Sequence, residues 1–123
     1  MKQEEIFEYN KRCAEFLGYT FKNHDNLPNA FWDIPFGKTY SQTKDLEFHS
    51  DWNWIMEMLD KVALLDFGWK VTSKYVNIYS HTGDPRGEFD CTHSINCPEN
   101  VMLDTVRTIN QFLIWYNNVN TNK

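Results

Sequence analysis

The stretch Phe48-His49-Ser50-Asp51-Trp52-Asn53-Trp54-Ile55-Met56-Glu57-Met58-Leu59 reads as the start of an amphipathic helix. Ser50 and Asp51 are both competent N-caps, because their side-chain oxygens accept the free N–H groups of a first helical turn. The spacing predicts a helix from about Asp51 to Leu65, with Ile55, Met58, Leu59, Val62 and Leu65 as its core stripe. Residues 52 and 54 fall about 200° apart at about 100° per residue. One flat core therefore cannot cover both tryptophans, and Met56 widens the apolar arc further. At least one ring is expected to meet a second element, a ligand or a partner.

Outward from this helix the chain alternates elements. Glu4 to Leu17 carries a helical stripe of Ile6, Tyr9, Cys13, Phe16 and Leu17, with Gly18 as its C′ residue. Tyr19 to Lys22 alternates like a short strand. Asn23 to Leu46 is polar and aromatic at once, broken by Pro28, Pro35 and Gly37, and reads as an ordered lid or wall rather than as an element. After the second helix, Trp69 to Ser80 is rich in β-branched and aromatic residues and predicts strands. Thr82-Gly83-Asp84-Pro85-Arg86-Gly87 is a turn signal, and Glu88 to Thr92 is the return strand. Pro98 and Glu99 open a last helix whose core face is Met102, Val106, Ile109, Phe112, Leu113 and Tyr116. Its Asn-rich end, from Asn117, is expected to fray.

These elements predict a single α+β domain over residues 1–123. It should hold a small antiparallel sheet of three or four strands with helices packed on one face. A chain of this length buries a real core without disulfides or metals. Its net charge of −5, with no cluster of Lys or Arg, argues against a nucleic-acid duplex as partner. A small anionic ligand needs only one or two cations and backbone N–H groups, so that class stays open. The three cysteines and the lack of a signal-like start fit a reducing, cytoplasmic setting. No apolar run approaches the roughly 20 residues of a membrane span.

Five Trp, six Tyr and nine Phe exceed what a core of this size needs, so some rings are expected on a binding surface. Trp32, Tyr40, Trp52 and Trp54 are the ring candidates, since aromatic side chains stack on bases at roughly 1–3 kcal/mol each. They equally fill cores and dimer interfaces. His49 and Ser50 stand at a helix N-terminus, which is an anion-binding geometry, and Arg86 could reach a ligand from its turn. A His just before an N-cap more often satisfies local polar groups, and a turn tip is more often only a turn.

His81, Cys91, His93 and Cys97 lie within 17 residues, but their spacing matches no paired zinc signature. A hairpin that happens to carry them is the simpler reading. Cys13 sits on a core stripe and reads as a buried small hydrophobe. Nothing places a base beside any one cysteine. The sequence thus calls for no metal, no cofactor and no catalytic residues.

Two segments carry a likeness. Residues 48–62, FHSDWNWIMEMLDKV, resemble a pattern FHxSWDWLMxVVxKI, and residues 112–117, FLIWYN, resemble a closing FIKWYN. Both patterns belong to a group of small, uncharacterised proteins encoded by bacterial viruses and prophages. The likeness covers roughly the last two-thirds of the chain and brings no known activity or catalytic residues with it. It implies a phage or mobile-element origin, and a role in binding a host protein, a virion component or an immune signalling nucleotide. The expectation is a non-enzymatic, homo-oligomeric binding protein that sequesters a small nucleotide-like ligand. The alternative is a protein–protein interaction module without a small ligand. An enzyme built on His49 or the His/Cys cluster would need a convergent polar site that the sequence does not display.

Overall fold

The computed structural model describes residues 2–22, 31–33 and 46–121. The element order is α1 (Gln3–Phe16), β1 (Thr20–Lys22), β2 (Phe31–Asp33), α2 (Trp52–Leu64), β3 (Phe67–Val71), β4 (Tyr75–Ser80), β5 (Asp90–Ser94) and α3 (Val101–Thr121). A 3-10 turn at Pro98–Asn100 leads into α3. The α+β architecture expected from the sequence is the one observed. Among the described residues no helix is long and apolar enough to cross a membrane.

Local chemistry sets the helix ends. Gly18 adopts φ +84°, which a β-carbon disfavours. Its N–H bonds to Glu15 O, and the Tyr19 N–H bonds to Ala14 O, closing α1 in a Schellman motif. Of the two cap candidates for α2, Asp51 does the capping: its carboxylate accepts the Asn53 N–H at 2.8 Å. At the other end of α2 Asp66 takes a left-handed conformation, φ 69°, that lets the chain turn directly into β3.

β3, β4 and β5 form an antiparallel sheet in the order β3-β4-β5. Phe67 lies opposite Ser80 on β4, and Ile78 lies opposite Cys91 on β5. The two-residue period of a strand puts Phe67, Trp69, Val76 and Ile78 on one face and Gly68, Lys70, Asn77 and Tyr79 on the other. The first face is the core face. There α2 rests on β3, α3 rests on β4 and β5, and α1 packs on α3. Ile55, Met58, Leu59 and Val62 of α2 meet Val106, Ile109, Phe112 and Leu113 of α3 in one buried cluster, joined by Tyr9, Cys13 and Ala14 of α1.

Three details differ from the sequence reading. Within the expected lid, Phe31–Asp33 is a strand that pairs antiparallel with β1, Phe21 opposite Trp32. The rest of that segment, residues 23–30 and 34–45, lies outside the described residues. β3 begins at Phe67, before the expected Trp69, and so includes Gly68, a residue that ordinarily weakens a strand. Here it makes room for Tyr79, whose ring crosses the sheet so closely that a β-carbon at 68 would collide with it. Finally, α3 continues to Thr121 instead of fraying at Asn117. Trp115 and Tyr116 pack on Phe67, and a helix held that firmly propagates at one hydrogen bond per residue.

Candidate functional site

The lead-in to α2 is tied down from α1. The Tyr9 hydroxyl donates to Phe48 O at 3.1 Å, and both side chains are fully buried. One residue on, the Asn10 amide nitrogen lies 3.0 Å from His49 Nδ1. With the amide as donor, Nδ1 accepts and the imidazole is neutral with its proton on Nε2. This assignment rests on the hydrogen-bond pattern. Partial burial lowers the His49 pKa, and nearby Glu47 opposes that shift only in part. Asn10 is 2% exposed, and its Oδ1 is a buried acceptor without a partner among the described residues. Ser50 is exposed, and its backbone N–H bonds to Glu47 O.

The two tryptophans separate as their angular spacing requires. Trp54 turns inward and meets Phe48 edge-on, with ring centroids 4.8 Å apart. Trp52 stays 39% exposed and Met56, one turn later on the same flank, 37% exposed. Of the other candidate rings, Tyr40 and the side chain of Trp32 lie outside the described residues. His49, Ser50 and Trp52 are therefore the sequence candidates gathered at this helix start.

Arg86 is elsewhere and turned into the fold. Its Nε donates to Asp84 Oδ1 at 2.9 Å and its Nη2 to Asp84 Oδ2 at 2.7 Å. The same Nη2 donates to Leu65 O at 2.6 Å, and the guanidinium carbon sits 4.1 Å from the Phe67 ring centre. One side chain thus joins the β4–β5 connection to the end of α2 and the start of β3. Hydrogen bonds from the Arg86 side chain and backbone hold the Asp84 carboxyl down at about 2.

The His/Cys group divides. Cys91 and His93 sit side by side on β5 against α3. The Cys91 thiol donates to Gln111 Oε1 at 2.8 Å, and burial, helped by Asp90, pushes its pKa up. Thr108 Oγ1 gives its proton to Asp104 O at 2.7 Å, so it accepts from His93 Nδ1–H at 2.8 Å. His93 Nδ1 is therefore occupied and lies 3.7 Å from Cys91 Sγ. His81 stands apart, 3.9 Å from Asp66. Among the described residues no three His, Cys, Asp or Glu side chains converge as a metal site would require.

This arrangement opposes thiolate chemistry: a nucleophilic cysteine needs a lowered pKa or a free base beside it. In the native protein Cys91 should react with iodoacetamide more slowly than a free thiol at pH 8. Cys13, fully buried and with its pKa also raised by burial, should label only on unfolding. Mass spectrometry of the labelled chain reads both rates, and rapid labelling of Cys91 would show it to be an activated thiol.

The sequence reading missed Asn10. Its signal was an asparagine four residues after Ile6 on the apolar stripe of α1, but its partner lies 39 residues away. Comparison with protein-family models, curated proteins and solved structures finds no match to this chain.

Proposed function

We propose that this chain is a non-enzymatic binding protein of bacteriophage or mobile-element origin. It engages a host or phage protein through the exposed flank of α2. The observation that carries this reading is the exposure of Trp52 and Met56 one turn apart on that flank, continuous with the buried stripe. Tryptophan and methionine are enriched at the centres of protein interfaces and depleted on inert surface. Ala63 is exposed too and falls within about 20° of Trp52 around the helix axis. Cys91, His93 and Arg86, three of the polar side chains an enzyme would draw on, are engaged internally. The phage setting rests on the likeness of residues 48–62 and 112–117. Self-association through the same flank would make the chain a homo-oligomer.

A second reading is a small anionic or nucleotide-like ligand held at the start of α2. The buried Asn10 Oδ1, an acceptor without a donor among the described residues, favours a ligand that brings an N–H, as a nucleotide base does and a bare anion does not.

The test is native mass spectrometry of gently purified protein, compared with the double variant Trp52→Glu, Met56→Glu. The native chain should carry a second copy or a protein partner, and the variant should purify bare with its melting temperature little changed. For the partner so identified, Trp52→Ala should weaken binding roughly 30-fold, equivalent to the ~2 kcal/mol of an interface hot spot. A nucleotide-sized adduct on a chain that binds no protein would overturn the protein-partner reading in favour of the second one.

A further inference from the structure

Among the described residues β5 is an edge strand, paired with β4 on one side. The bonds from Ser80 N–H to Phe89 O and from Ile95 N–H to Lys74 O, both 2.8 Å, fix which backbone groups turn toward β4. Hydrogen-bonded pairs recur at every second residue of an antiparallel ladder, so Cys91 and His93 bond to β4. Asp90, Thr92 and Ser94 turn their N–H and C=O groups to the open side, and all three residues are exposed. Among the described residues nothing bonds to that row of backbone groups.

Beside this edge lies a cleft on the outer face of the sheet. Tyr79 leans away from β5 across the bare backbone of Gly68. Its lean leaves a space lined by Tyr79, His81, Thr82, Glu88, Phe89 and Asp90. His81 stands nearly perpendicular to the Tyr79 ring, 5.9 Å between centroids. Glu88 and Asp90 bring carboxylates to the cleft, and neither has a cation paired with it among the described residues. One oxygen of Asp90 accepts from the Asn77 amide at 2.8 Å, which holds the carboxylate in place.

We propose that β5 accepts a basic peptide strand by edge pairing, with an arginine of that strand seated between Glu88 and Asp90. A residue directly opposite Asp90 on an added strand shares its face of the sheet, with Cβ atoms about 5 Å apart. From there the long arginine stem reaches over Asp90 into the cleft. The planar guanidinium then donates to both carboxylates, a geometry that a lysine ammonium does not match. Main-chain bonds along the edge supply affinity, and the cleft selects the side chain. The charge of −5 favours approach of a basic segment. This surface is separate from the α2 flank, and its failure leaves that reading untouched.

The experiment titrates the isotope-labelled full chain with the peptide acetyl-Thr-Val-Arg-Val-Thr-amide and follows backbone amide shifts. Saturable shifts should appear at residues 90–94 and 79–82. Replacing the arginine with citrulline should weaken binding about fivefold, the effect of a good exposed ion pair. The double variant Glu88→Gln, Asp90→Asn should do the same, since it keeps the shape and the Asn77 contact while removing both charges. Methylating alternate peptide nitrogens should abolish the shifts at the β5 edge. No saturable shift at residues 90–94, or equal affinity for the citrulline peptide, overturns the proposal. So does binding of free acetyl-arginine amide as tight as that of the peptide, because a cation site alone would then suffice.

Discussion

Phe112→Ala should cost about 3–5 kcal/mol of folding stability, the range for emptying a buried aromatic site. Phe112 is fully buried, and its ring neighbours come from α1, from β3 and from the connection into β5. Its ring centroid is 5.9 Å from that of Phe16 on α1, 4.9 Å from Phe67 on β3 and 5.6 Å from Phe89 before β5. These are edge-on contacts, each worth roughly 0.5–1.5 kcal/mol beyond area burial. On α3 itself Tyr116 stacks at 5.7 Å. The neighbours belong to separate elements, so the cavity cannot close without moving one layer against another. Phe112→Leu should recover most of the loss. Chemical denaturation of both variants checks this, and a loss below about 1 kcal/mol for alanine would show that the site collapses freely.

Arg86→Ala should lower the melting temperature by several degrees and alter the response to acid. Removing the guanidinium strands the Asp84 carboxylate, whose side chain is only 4% exposed, and leaves Leu65 O without its donor. It also uncovers one face of Phe67. The pH dependence has a definite sign. The Asp84 pKa is depressed to about 2 in the folded protein, below the usual aspartate value of about 4. The stabilisation from the pair is therefore complete above about pH 4 and is lost as pH falls toward 2. In Arg86→Ala that acid-sensitive part should shrink, so melting curves of the two proteins between pH 2 and pH 5 should converge at the acid end. Parallel curves would mean that Asp84 and Arg86 are not coupled in solution.

Much of this architecture was legible because it is local. The stripes Ile55–Val62 and Val106–Leu113 announce their helices by period, and Gly18 and Asp51 mark ends through chemistry that acts within a few residues. The Thr82–Gly87 turn and its flanking strands are short-range in the same sense. What escaped is long-range. Phe31–Asp33 is too short to announce a strand, and only its pairing with β1 makes it one. Gly68 lowers strand propensity at its own position, and the reason for it is a ring eleven residues later in the chain. Arg86 read as a side chain free to reach outward. Asp84 was visible two residues away, but the Leu65 carbonyl and the Phe67 ring that complete its surroundings come together only in the fold. The partition of Trp52 from Trp54 could be foreseen from angle alone, whereas the choice of which ring turns inward depends on where Phe48 is placed.

The packing of α1 on α3 has a consequence for synthesis. Arg12 donates to Asn110 at 3.0 Å across 98 residues of chain, and Phe16 meets both Phe112 and Tyr116. A ribosome makes α1 well before α3. The hairpins from β3 to β5 can form as they emerge, since each strand pairs with the next. The part of α1 that α3 covers must wait until α3 has been translated. A product cut short before α3 would keep that side uncovered, a target for chaperones and proteases, and a premature stop anywhere upstream of Phe112 would remove the fold as well as the last helix.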